Sequence, residues 1–253
     1  MIDQLWLIPL GFVAGVLGSM IGLGGGIIVV PVLTFFGFPP TLATSNSLFA
    51  AFSNAVASTI SYHRQKRIEY SLGLKLGLLT IPGTVLGAYI SSDVTPELFK
   101  ILFGFVLIAS AVYIFLRKKL ESKEKNIPKQ MMVFAIGASF FAGIISAFFG
   151  IGGGIVFVPL MVVGMGMAMK KAAPTSQLIL LFASFSGVAV HTALGHSDFL
   201  QAGLLASGSF AGGLVGARLS VDIRERYLQI LVSVVIIAAA VKMFWDSFSG
   251  NFV

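Results

Sequence analysis

One phrase occurs twice in this chain, and each copy interrupts an apolar stretch that would otherwise run on as helix. Residues 15–33 read GVLGSMIGLGGGIIVVPVL and residues 143–161 read GIISAFFGIGGGIVFVPLM. Eight of the 19 positions are identical, among them Gly15/Gly143, Gly22/Gly150, Gly24/Gly152, Gly25/Gly153, Gly26/Gly154 and Pro31/Pro159. The chain therefore reads as an internal duplication. Gly frees the backbone and Pro removes a donor, so neither favours a continuous helix. Gly/Pro interruptions at matching places in two halves point to the binding site of a transporter.

The solvent around those interruptions follows from composition. Of 253 residues, 57% are hydrophobic and only 11% charged, where a soluble domain carries about 25% charged residues. Mean hydropathy is +0.96. So much apolar surface needs lipid, which makes the lipid bilayer the first expected partner. We read one domain of two fused transmembrane repeats, 1–116 and 131–253, joined by the polar linker 117–130 (RKKLESKEKNIPKQ). There is no Cys, which excludes thiolate metal sites and thiol catalysis. The opening MIDQLWLIPLGF has no basic leader and no small-residue cleavage pattern, unlike a cleaved signal peptide. The net charge of +7 does not argue for nucleic acid, because the cations sit in short loops beside apolar spans, as membrane orientation requires.

The apolar segments run 5–37, 41–62, 70–91, 98–116, 132–165, 172–194, 199–217 and 227–245. Six suit one crossing of a ~30 Å hydrocarbon core. Segments 5–37 and 132–165, which hold the glycines, would each be roughly 50 Å long as straight helix. Charge chooses between one crossing and a hairpin. If each long segment crosses once, Lys170, Lys171, Arg218, Arg224 and Arg226 are stranded outside. If each is a hairpin, all the loop cations face the cytoplasm, while Asp3, Asp93, Glu97, Asp198 and Asp246 face out. The positive-inside rule favours hairpins. Each repeat then has a Gly-broken helical hairpin plus three full transmembrane helices. An odd number of crossings inverts the second repeat, leaves both termini outside and brings the two hairpins in from opposite faces.

No Asp or Glu falls within the middle of a span, which argues against a carboxylate proton relay or metal cage. What remains is neutral. Thr44, Ser45, Asn46 and Ser47 open the span after the first hairpin, and Thr175, Ser176 and Gln177 open the corresponding span of the second repeat. Ser53, Asn54, Ser58, Thr59, Ser184 and Ser186 lie further in. A donor-rich, carboxylate-free interior suits an anion, and the helix start after Gly24–Gly26 offers free N–H groups and the positive end of the helix dipole. The competing readings are structural. Gly serves close helix packing, and Thr44–Asn46 and Thr175–Gln177 suit N-caps. His191 suits a satisfied interfacial histidine. GLGGG lacks the Gly-Lys-Ser/Thr of a phosphate-binding loop, and no paired acid/base or nucleophile motif argues for an enzyme. No cofactor is indicated.

These features resemble one known family. Gly15, Gly22, Gly24–Gly26, Pro31 and Thr44-Ser45, repeated as Gly143, Gly150, Gly152–Gly154, Pro159 and Thr175-Ser176, are similar to the duplicated pattern of the sulfite exporter TauE/SafE permeases. Pro82-Gly83-x-x-x-Gly87-Ala88 and Gly212-x-x-x-Gly216-Ala217 add a second shared element, with Ala211 in place of Pro82. The resemblance covers about residues 5–245. It implies a multi-pass protein of the cell inner (plasma) membrane that exports or exchanges small anions, such as sulfite or an organic sulfonate or carboxylate, by alternating access. The expected fold is all-α, a polytopic membrane protein of two inverted repeats. The expected substrate-binding residues are Gly22, Gly24, Gly25, Gly26, Thr44, Ser45, Asn46, Gly150, Gly152, Gly153, Gly154, Thr175, Ser176 and Gln177, with the anion between the two Gly breaks. A passive anion channel and an accessory membrane subunit are the alternatives. The sequence is compatible with a homo-oligomer.

Overall fold

The computed structural model describes residues 4–92, 94–116, 129–221, 237, 240 and 241. Among them the chain is helical, without strands. The first half contributes α1 (Leu7–Ile21), α2 (Gly26–Phe35), α3 (Pro40–Arg64), α4 (Tyr70–Ser92) and α5 (Pro96–Leu116). The second contributes α6 (Lys129–Phe149), α7 (Gly154–Pro159) continued by a π-turn (Leu160–Gly164), α8 (Met169–Ala193) and α9 (Phe199–Leu219). The expected span 227–245 and linker 117–130 lie almost wholly outside the described residues. Among the described residues, four helices are long and apolar enough to cross a membrane: Tyr70–Ser92, Gln130–Phe149, Met169–Ala193 and Phe199–Leu219. The third of these contains Pro174, set within its first two turns.

Both long apolar segments fold back on themselves. Trp6, just before α1, has its ring centroid 4.7 Å from that of Phe36, just after α2. A straight helix of this length would hold the two tens of ångströms apart. The second segment folds back likewise, and a Cβ placed on Gly164 would strike the Met131 side chain. The two hairpins differ in one respect, because α6 is long enough by itself to span a membrane, whereas α1 has 15 residues.

The first helix of each hairpin packs mainly against the other half. Gly11 and Gly15 of α1 lie against Leu205 and Ser209 of α9, and Gly212 and Gly216 of α9 lie against Phe12 and Val16 of α1. On the other side Gly143 of α6 lies against Thr80 of α4, and Gly83 and Gly87 lie against Phe140 and Ile144. In every case a methyl group would collide with backbone; on Gly15 it would sit 2.6 Å from Ser209 O. Small residues let membrane helices approach this closely, which gains dispersion contacts where lipid removes most of the hydrophobic drive. Gly11, Gly15, Gly83, Gly87, Gly212 and Gly216 are thus packing glycines. The long helices α3 and α8 pack against each other and against α9 and α4 respectively. Phe99 and Phe103 of α5 stack on Phe148 and Phe149 at the end of α6.

Candidate functional site at the two hairpin tips

Each tip is shaped by consecutive left-handed residues. Gly22 ends α1 at φ 83°, and the amides of Gly22, Leu23 and Gly24 all return to Gly18 O. Gly24 and Gly25 follow at φ 81° and 78°, and α2 begins at Gly26. The second tip repeats this with Gly150, Gly152 and Gly153 at 72°, 75° and 81° before α7. Two successive left-handed residues would each cost an L side chain about 1–2 kcal/mol, so the first three glycines of each GxGGG pattern are needed for the turn itself.

The tips meet in the buried centre of the molecule. A Cβ on Gly26 would overlap Gly150 O and sit 2.7 Å from Ile151 Cα; one on Gly154 would overlap Gly22 O and sit 2.8 Å from Leu23 Cα. Two hydroxyls secure the contact. Ser47 Oγ donates to Gly150 O at 2.8 Å, and Ser176 Oγ donates to Gly22 O at 2.8 Å. The Leu180 side chain lies over both Gly24 and Gly152, and Ala51 also lies over Gly152. The backbones behind the tips are held by a second matched pair: Tyr62 Oη donates to Ser19 O at 2.8 Å, and His191 Nε2 lies 2.9 Å from Ala147 O. His191 is therefore a buried anchor, fully enclosed, rather than an interfacial residue.

All fourteen expected site residues are buried, but they do not form one cluster. The eight glycines make the two tips. Thr44 lies against Gly150, and Gln177 Nε2 donates to Gly18 O at 3.0 Å. Ser45, Asn46 and Thr175 are directed elsewhere. Ser45 Oγ is 2.7 Å from Ser197 Oγ, and Asn46 Nδ2 donates to Gln201 Oε1 at 3.0 Å. Thr175 Oγ1 accepts from the Glu69 amide at 3.0 Å and donates to Lys171 O at 2.7 Å. These three hold the loops that lead into α9 and α4. None of the six is an N-cap, since α3 begins at Pro40 and α8 at Met169. The match of Thr44-Ser45 to Thr175-Ser176 is also out of register. Gly150 lies on Thr44 where Gly22 lies on Ala173, so the partner of Ser176 is Ser47.

Several polar groups at the tips have nothing to bond. Thr44 Oγ1, Gln177 Oε1 and Ser146 Oγ are buried without a partner, and Ser146 Cβ lies 3.4 Å from where Gly153 would carry a side chain. Among the described residues, the amides of Gly25, Gly26 and Ile27, and those of Ile151 to Ile155, donate to no backbone carbonyl. Gly24 differs from expectation, because Gly18 O takes its amide at 3.3 Å. Among the described residues, the buried polar side chains are those of Ser, Thr, Asn, Gln and His191, with the Tyr62 hydroxyl. Deeper polar residues serve helix contacts: Ser53 donates to Ala206 O and Thr84 to Ser186, each at 2.7 Å. Ser47, Ser146 and Leu180 were not anticipated at the tips. Ser47 stands in the Thr-Ser-Asn-Ser run, but neither the shared Thr-Ser letters nor its distance from the Gly cluster, 21 residues after Gly26 against 22 from Gly154 to Ser176, pairs it with Ser176.

A family model described as Sulfite exporter TauE/SafE matches residues 7–243. The probable membrane transporter protein YunE of Bacillus subtilis is 29% identical, with 95% of this chain and 97% of that protein aligned. The probable membrane transporter protein MJ0441 of Methanocaldococcus jannaschii is 27% identical over 90% of each. YfcA of Escherichia coli, also a probable membrane transporter protein, is 24% identical over 98% of this chain and 93% of its own.

Proposed function

We propose, from the premise that this chain belongs to the sulfite exporter TauE/SafE family of membrane transporters, that it is a secondary transporter carrying small anions by alternating access. The substrate we favour is sulfite or an organic sulfonate. The observation that carries the reading is the meeting of the two tips, where unbonded amides lie with the unpartnered hydroxyls of Thr44 and Ser146. Buried polar groups without partners are costly, and they are tolerated where a ligand satisfies them in another state of the cycle. Amides at a helix start favour negative charge. Hydroxyl and amide donors hold an anion without fixing a full countercharge in its path, which keeps binding reversible.

In the conformation described, Gly26 abuts Gly150 and Gly154 abuts Gly22, leaving no room between them. An anion is seated when the tips part. Ser47 and Ser176 then release their carbonyls and turn to the ligand together with Gly25, Gly26, Gly153, Gly154, Thr44 and Gln177. The matched contacts of α1 on α9 and α6 on α4 support two repeats, 1–116 and 131–253, related by a pseudo-two-fold axis in the plane of the membrane. The loop cations support both termini outside and linker 117–130 in the cytoplasm. Rocking of the hairpins against the long helices exposes the site to each face in turn.

The test is flux of radiolabelled sulfite into proteoliposomes, with sulfate, sulfoacetate, acetate and chloride as competitors. Saturable flux competed by a subset of these is expected, and Gly25→Val and Gly153→Val should each abolish it while still inserting. Sulfite current that never saturates would mean a channel. Wild-type flux from both inserted variants would remove the tips from the site.

A further inference from the structure

Where α3 and α9 end side by side, they enclose a cleft of about 380 Å³. Its apolar lining comes from Ile60, Phe210 and Leu214, and its charge from Arg64 and Arg218. Ile60 and Phe210 are 44% and 39% exposed, so the apolar wall opens outward, where a membrane protein meets acyl chains. Both arginines are exposed. Among the described residues, no carboxylate lines the cleft. Gln65, also in the lining, is already committed: its Nε2 donates to Ala217 O at 3.0 Å and its Oε1 accepts from Arg67 at 2.9 Å. Arg67 in turn is held by Lys170 O and Ser220. Among the described residues, the structure gives Arg64 and Arg218 no comparable acceptor.

The molecule contains its own comparison. The matched contacts pair α3 with α8 and α9 with α4, so the same helix crossing occurs a second time between α8 and α4. The positions corresponding to Ile60, Arg64 and Gln65 are Ala189, Ala193 and Leu194. Those corresponding to Phe210, Leu214 and Arg218 are Ile81, Val85 and Tyr89. One backbone arrangement is thus used twice, and only one copy carries guanidinium groups. A general need for cations on the cytoplasmic side is met by loop lysines such as Lys66 and Lys170. It does not explain two arginines converging on one apolar-walled cleft.

We infer that this cleft seats an anionic phospholipid of the adjoining leaflet. Arg64 and Arg218 take the phosphodiester, for which the guanidinium fork is well shaped, while Ile60, Phe210 and Leu214 meet the glycerol and first acyl carbons. Basic pockets between membrane helices recognise headgroups in this way. With the orientation proposed above, the leaflet is the cytoplasmic one. The inference requires a membrane-spanning chain but not anion transport, so the two readings fail separately.

The test is native mass spectrometry of the delipidated full chain titrated with phosphatidylglycerol, phosphatidylcholine or inorganic phosphate. Wild type should take up one phosphatidylglycerol at least tenfold more tightly than phosphatidylcholine. R64Q/R218Q should lose roughly tenfold or more of that affinity, in line with removing two surface-facing cations. K66Q/K170Q, which removes equal charge outside the cleft, should bind as wild type. The single variants R64Q and R218Q provide a milder second measurement, each expected to lose severalfold. Equal affinity for the two lipids would overturn the inference. So would equal loss in K66Q/K170Q, wild-type binding by either single variant, or phosphate that binds without being displaced by phosphatidylglycerol.

Discussion

Gly26→Ala isolates the contact between the tips. Gly26 lies at the first position of α2 and does not have a positive φ. Alanine there meets no dihedral penalty, and its helix propensity is better than that of Gly by about 1 kcal/mol. Local physics alone therefore predicts a more stable protein. The tertiary structure predicts the reverse. The new methyl would overlap Gly150 O and lie 2.7 Å from Ile151 Cα, and both are backbone atoms that cannot rotate away. The tips would have to part by about an ångström, and overpacking of this kind costs about 1–3 kcal/mol. Gly154→Ala should behave alike, since its methyl meets Gly22 O and Leu23 Cα. Gly37→Ala is the control. Gly37 is at φ 82° with nothing within 4 Å, so alanine there costs only the left-handed penalty of about 1–2 kcal/mol. Thermal unfolding in detergent should fall in all three variants. Sulfite flux in proteoliposomes should fall at Gly26 and Gly154 and persist at Gly37. Wild-type unfolding and flux in Gly26→Ala would refute the reasoning.

Ser47→Ala and Ser176→Ala each remove one hydroxyl from a tip carbonyl and should lower stability by about 1 kcal/mol; a large difference between the two by thermal unfolding would break the matched pairing. Leu180→Ala empties the space over Gly24 and Gly152, at a cost of about 2–5 kcal/mol, and should add an unsaturable component to sulfite flux. Purely saturable flux at wild-type stability would show that Leu180 does not seal the tips. Tyr62→Phe removes the shorter of the two bonds to Ser19 O, leaving the Gly22 amide at 3.2 Å, and should cost about 1 kcal/mol; an unchanged unfolding midpoint would show that the hydroxyl is redundant.

The duplicated glycine phrase was enough to place both tips, because left-handed turns need that residue and little else supplies them. The excess length of segments 5–37 and 132–165, weighed against loop charge, correctly implied that each folds back. Helix ends at Arg64, Tyr70, Ser92, Ala193 and Phe199 fall within a few residues of the expected spans. What the sequence concealed was partnership. Nothing in Gly11 or Gly212 says that α1 lies on α9, since small residues announce a close neighbour without naming it. Tyr62 and His191 occupy matched places yet share no chemistry beyond a polar tip on a long ring, so no sequence comparison would pair them. The shared Thr-Ser of Thr44-Ser45 and Thr175-Ser176 was actively misleading. Identical letters suggested one register, while the contacts at the tips, Gly150 on Thr44 and Gly22 on Ala173, give another in which Ser47 is the counterpart of Ser176.

The exchange of hairpins between halves also has a consequence for how the protein is made. α1 ends at Ile21, but the helix it rests on does not begin until Phe199. At a synthesis rate of about 5–20 residues per second, the ribosome takes roughly 10–40 s to bridge that interval. Throughout it, the first hairpin is already in the bilayer with its glycine face uncovered and its Gly22 carbonyl without the Ser176 hydroxyl. The second hairpin has no such wait, because α4 is present before α6 emerges. Biogenesis is therefore lopsided in a molecule whose finished contacts are balanced. A chain released early leaves its oldest element as its least settled one, the part that membrane quality control would meet first.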